Sequence, residues 1–166
     1  MNATETAAPR PAVRAAIVGF ALVLVYAIVG ALQILVWNPL AAVPGATLGQ
    51  IRADMALADE HLTATGVVIW AGIGVVLGAV VLLVAVRKSG RVGPVIAAYL
   101  VLLVFAAPGH LFVGFGPGMS LADTFMISGA DHAPWGIVLY VVSATALAGL
   151  IAVIIHSARA VSAATE

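Results

Sequence analysis

Reading the chain for apolar runs separated by polar breaks gives four long blocks. Ala15 to Trp37, Thr65 to Val86, Val92 to Phe115, and a block opened by Trp135 and running to about Ile155 contain no Asp, Glu, Lys or Arg. A helix of roughly 20 such residues crosses about 30 Å of hydrocarbon, so each block predicts a membrane span. The break after the second block is the basic turn Arg87-Lys88-Ser89-Gly90-Arg91. Lys and Arg in short loops stay on the cytoplasmic side, which points this hairpin inward and sends its two helices outward.

The pattern between the first two blocks is of another kind. Leu48, Ile51, Met55, Ala58 and Leu62 recur at three- and four-residue spacing, with Gln50, Arg52, Asp54, Asp59 and Glu60 largely off that stripe. This predicts an amphipathic helix over residues 46–62, lying on the outer surface or over the mouth of the bundle. Asn38-Pro39 and Pro44-Gly45 are read as the break that ends the first span.

Two further signals bear on orientation. Of the seven basic residues, Arg10, Arg14, Arg87, Lys88, Arg91 and Arg159 fall on the predicted inner side and only Arg52 outside. Trp37, Trp70 and Trp135 fall at outer ends of spans, where indole favours the headgroup layer. The expected fold is therefore an all-α integral membrane protein: a four-transmembrane-helix bundle with both termini cytoplasmic and an extracytoplasmic amphipathic helix between helices 1 and 2. Its expected parts are a tail over 1–14, a transmembrane domain over 15–156 with spans near 15–37, 65–86, 92–115 and 135–155, and a tail over 157–166. A cleaved signal peptide competes for the first span, with Ala41 and Ala42 as small residues near a cleavage point. A signal h-region is only about 7–15 residues long, so an uncleaved span is preferred.

Local punctuation refines the spans. Gly74 and Gly78, with Ala71 on the same side, form a GxxxG stripe suited to close helix packing, within the chain or against a partner. Gly93-Pro94 opens the third span, and Pro108-Gly109-His110 predicts a kink near its outer end. Gly114, Gly116, Pro117 and Gly118 are read as dissolving that helix into a loop, with a short helical turn over 120–127. Asp131-His132-Ala133-Pro134-Trp135 supplies a cap and a first-turn proline for the fourth span.

Composition then narrows the chemistry. The chain is 63% hydrophobic and 8% charged, with mean hydropathy +1.18, whereas soluble domains carry about 25% charged residues. With no cysteine, disulfides and thiolate metal sites are excluded. Abundant Ala, Val and Gly beside a single Lys suggest a GC-rich bacterial source and the plasma membrane. Asp54, Asp59, Glu60, Asp123 and Asp131 oppose Arg52 alone, so the predicted outer face is acidic.

Three histidines, His61, His110 and His132, fall on or near that face with Asp123 and Asp131. Imidazole and carboxylate together suit zinc or copper, and a histidine pair suits haem. Against a metal, no HxxxH or HxxxE spacing occurs, and adjacent residues such as Asp131 and His132 do not face each other on a helix. His110, about five positions inside the boundary, is the one ionisable group at depth, and such groups are functional candidates. The other polar groups at depth, Tyr26, Gln33, Tyr99, Tyr140, Ser143 and Thr145, suit interhelical hydrogen bonds better than a charge relay. No inverted repeat supports a transporter. Ser120, Thr124 and Ser128 lie in no nucleophile motif, and no phosphate-binding or nucleic-acid motif is present.

The leading expectation is thus a small non-catalytic accessory, assembly or structural subunit, without cofactor or nucleic acid. It would act through helix packing and its acidic outer face on the lipid bilayer, on copies of itself or on another membrane subunit. The rival is an outer-face metal or haem site drawn from His61, His110, His132, Asp123 and Asp131. A third possibility is a small oligomeric solute transporter.

Overall fold

A computed structural model describes residues 11–88 and 91–163. Arg10, the Ser89-Gly90 centre of the basic turn and the last three residues lie outside that range. The described residues form helices joined by loops, with no strand among them: α1 (Pro11–Leu32), a π-helical turn (Gln33–Trp37), α2 (Asn38–Ala42), α3 (Leu48–Leu57), α4 (Thr65–Arg87), α5 (Val92–Phe125), a 3-10 turn (Pro134–Gly136) and α6 (Ile137–Ala163). Four helical stretches are long and apolar enough to cross a membrane: Pro11–Ala42, Thr65–Arg87, Val92–Phe125 and Pro134–Ala160. The chain alternates between two ends of a bundle, an end bearing α3 and a hairpin end where α4 turns into α5.

α1 packs on α4 and α5, and α5 also packs on α4 and α6. The core between them is Ala16, Val23, Tyr26, Ala85, Tyr99, Leu103, Leu139 and Ala146, while large residues such as Ile69, Val76, Phe105 and Ile154 point outward. That inversion of the usual soluble surface fits a lipid environment, where packing and interhelical hydrogen bonds hold helices together. Two tyrosines supply such bonds. Tyr99 lies against Gly19 of α1, where a side-chain carbon would strike its ring, and its hydroxyl donates to the Gly78 carbonyl of α4 at 2.8 Å. The Tyr26 hydroxyl reaches α6, at 3.2 Å from both the Leu139 carbonyl and the Ser143 hydroxyl. Ser143 in turn donates to the Leu103 carbonyl of α5 at 2.7 Å.

The small-residue stripe faces α1. A carbon added at Gly78 would lie 3.2 Å from Phe20 and 3.5 Å from Val23, and one at Gly74 would lie 4.0 Å from Val23. Ala71 and Gly74 line a cleft of about 140 Å³ with Val23 and Tyr26.

Three helix ends differ from the sequence expectation. The first helical stretch does not stop at Asn38-Pro39. Proline removes an amide and crowds the carbonyl four residues back, and the chain widens into a π turn in which the Asn38 amide bonds Gln33 five residues back. It leaves helical geometry only at Val43, before Gly45 at φ +86°. The amphipathic helix is shorter than 46–62. Thr47 and Gln50 form a reciprocal capping box at its start. At its end Asp59 takes a left-handed φ of 60°, while the Glu60 and Asp59 amides return to Met55 and Ala56. That is the Schellman arrangement, here with Asp in place of the usual glycine.

The third difference is the largest. α5 does not dissolve at Gly114–Gly118 but runs on through Pro108 and Pro117 to Phe125, ending at Met126 with φ 55°. Pro117, Gly118 and Leu121 are buried, so packing holds in place a segment that weak propensity would release. Ile51 and Met55 of α3 close over Leu121, with Val43, Ala46, Leu62 and Phe125 around them. At 1.5 Å per residue α5 is about 51 Å long. It therefore overshoots a hydrocarbon slab of about 30 Å, and the excess carries this second core.

Candidate functional site

The five histidine and carboxylate candidates do not converge. His61 follows α3, exposed, with its Nδ1 against the neighbouring Glu60 carbonyl. His132 donates from Nε2 to the Ser128 carbonyl at 2.9 Å, and Asp123 is exposed on the far end of α5. Among the described residues no three His, Cys, Asp or Glu side chains gather at one point. Two of the five, His110 and Asp131, do line a common cleft of about 110 Å³ at the α3 end.

The irregular backbone described above builds that cleft. The π turn starts at Gln33, and with α2 it brings Gln33, Ile34 and Asn38 to one wall. The extended α5 supplies His110, Leu111, Gly114, Phe115 and Gly118. The loop after α5 contributes Gly129, Ala130 and Asp131, and α6 contributes Tyr140. Gly118 permits the loop to approach, since a carbon there would meet the Gly129 carbonyl oxygen at 3.2 Å.

Hydrogen bonds fix the loop wall. Gln33 Nε2 donates to Asp131 Oδ1 at 2.6 Å, and the same oxygen accepts the Ala133 amide at 3.1 Å. The His132 amide donates to Asn38 Oδ1 at 2.6 Å. Gly136, at the start of the fourth span, is buried behind this contact; a side-chain carbon there would collide with the Asp131 carboxylate and lie 2.8 Å from Gln33 Nε2. Both partners of Asp131 are neutral, so its formal charge stays unpaired by them.

His110 is held by rings. Its imidazole packs edge-on to Trp70 (centroids 5.7 Å apart, 62°) and to Tyr140 (6.1 Å, 79°), and Trp70 meets Tyr26 in the same way. Trp70 is wedged between Gly30 of α1 and Gly109 of α5. Trp37 and Trp135, by contrast, line a shallow apolar groove at the α3 end.

The distinctive chemistry is what these side chains lack. Gln33 is 1% exposed and His110 4%, yet Gln33 Oε1 has no hydrogen-bond partner, and the His110 ring, whose edge lies against Gly30 of α1, makes no hydrogen bond of good geometry. Buried polar atoms are nearly always paired, and each exception calls for an explanation. Here the explanation is positional, since both residues border a space able to hold the missing partner. The sequence points to His110 and Asp131, places Gln33 and Tyr140 among the groups suited to interhelical hydrogen bonds, and gives Asn38 no role beyond a helix break. The signal available in the sequence is an amide, Gln33, six residues before Pro39, a proline that ends no helix.

Compared with protein-family models, with curated proteins and with solved structures, the chain matches none. The functional argument therefore rests on the geometry.

Proposed function

We propose that this chain is a non-catalytic accessory or binding subunit of a bacterial plasma membrane, with both termini cytoplasmic and α3 on the outer side. Its working part is the cleft between Gln33, His110 and Asp131, which receives a small polar group presented at the outer boundary of the bilayer. The observation that carries this reading is a pair of buried residues lining one cleft, Gln33 and His110, whose Oε1 and ring nitrogens have no hydrogen-bond partner of good geometry. Leaving a buried donor or acceptor unpaired costs about 1–3 kcal/mol, a penalty that a bound group removes. The outward apolar face of α4, with Val68, Ile73, Val76 and Val80 exposed, is the surface offered to lipid, a second copy or a partner subunit.

Native mass spectrometry of the protein, gently extracted from its own membrane, tests the proposal. A small mass retained by the wild type and lost from Gln33→Leu is the expected result, with any partner subunit still attached in both. A bare polypeptide in both samples overturns the binding role. The same spectrum weighs the rival reading: a metal mass lost in His110→Ala would make His110 and Asp131 ligands, since these two alone of the five candidates share the cleft.

A further inference from the structure

We infer that the group this cleft takes is a protonated primary amine, on a lipid headgroup or on a small free molecule. The inference rests on the binding role proposed above and adds the chemistry of the ligand. The cleft is rich in acceptors. Gln33 Oε1 is unpartnered, and the Asp131 carboxylate, with Oδ1 engaged by Gln33 and Ala133 and Oδ2 beside Gly136, has only neutral hydrogen-bond partners. An imidazole at His110, when neutral, would offer one acceptor and one N–H donor, of which an ammonium answers the acceptor alone.

An alkylammonium matches this set because it is a compact charge with three N–H donors and no acceptor. Its charge answers the carboxylate, whose present partners are both neutral. A quaternary ammonium carries the same charge but no N–H, so it would leave Gln33 Oε1 unpaired. A phosphate or carboxylate would be repelled by Asp131. Size agrees, since about 110 Å³ admits a headgroup amine but not a bulky solute, and Gly114 and Gly118 add no side chain to the α5 wall. Access agrees as well. The apolar lining residues Leu111 and Phe115 are 63% and 70% exposed on the bundle surface, which suits a group attached to an acyl chain.

The test uses full-length protein in phosphatidylcholine nanodiscs, offered phosphatidylethanolamine in one arm and free ethanolamine in the other, read by native mass spectrometry. A charge-assisted hydrogen bond is worth about 1.5–3 kcal/mol, so the wild type should retain phosphatidylethanolamine over phosphatidylcholine by about tenfold or more. Asp131→Asn keeps an oxygen for Gln33 and Ala133 but removes the charge, and it should bring that ratio close to one at an unchanged unfolding temperature. Retention in the lipid arm alone identifies a headgroup as the source, and ethanolamine bound in its own arm identifies a free amine. Equal retention of both lipids with no ethanolamine bound overturns the inference, as does a preference that Asp131→Asn leaves intact. If some other mass is then retained and lost in Gln33→Leu, only the amine assignment falls. If nothing responds to either variant, the binding role falls with it.

Discussion

Trp70 occupies a slot cut by glycines on two different helices. A carbon added at Gly109 would lie 2.6 Å from Trp70 Nε1 and 2.8 Å from its Cδ1, and one at Gly30 would lie 2.7 Å from Cη2 on the other side. The ring has nowhere to retreat, and His110 leans on it. Gly109→Ala is therefore expected to destabilise the protein by about 1–3 kcal/mol, the usual range for overpacking. Gly72, also on α4, has open space around it, and Gly72→Ala should stay within about 0.5 kcal/mol of the wild type. Thermal unfolding of both variants in detergent checks the contrast, and equal effects would show that the slot does not constrain the ring. In the sequence these glycines look alike. Spacing picks out Gly74 with Gly78, yet at Gly74 an added carbon meets only an ordinary contact at 4.0 Å. What makes Gly109 restrictive is a tryptophan from another helix, and no periodicity along α5 encodes that.

Among the elements, the spans were legible because composition alone specifies them: an uncharged apolar run of about 20 residues has few stable options besides a membrane helix. Their ends were not legible, because prolines and glycines stop a helix only where nothing else holds it. Pro39 is absorbed by a π turn, and Pro117 with Gly118 is buried beneath the loop and beside α3. These unread ends are also the parts that make the cleft, which explains why Asn38 escaped notice while His110 did not. The amphipathic stripe of α3 was readable, and its partner was the unforeseen end of α5. Ile51 and Met55 are fully buried against Leu121, whereas Leu57 is 88% exposed. Large-to-small changes at such buried sites cost about 2–5 kcal/mol each. Ile51→Ala with Met55→Ala should therefore release α3 while the four long helices stay folded. Hydrogen exchange would show faster exchange over 48–62 and 119–125 but not in α4, and Leu57→Ala would show none of this. Exchange spreading at once through α4 would mean the second core is not separate from the first.

Among the described residues, charge is separated along the bundle. Arg14, Arg87, Lys88, Arg91 and Arg159 stand at the hairpin end, while Asp54, Asp59, Glu60, Asp123 and Asp131 stand at the α3 end with Arg52 alone among them. Basic residues flanking short loops resist translocation, and acidic ones contribute little. The proposed orientation follows, with the cleft opening toward the outer boundary. The chain contains no cysteine, so a single introduced thiol reports its own side without background. Leu57→Cys on exposed α3 should react with a membrane-impermeant maleimide in intact cells, whereas Ala158→Cys, exposed near the other end, should react only after the membrane is opened. The reverse pattern would turn the molecule over. The cleft would then take its ligand from the cytoplasmic leaflet, and the five hairpin-end cations would stand outside against the rule that most strongly governs short membrane loops. Labelling of both sites in intact cells would mean that the two ends are not separated by the bilayer, and a four-span reading would fail at its root.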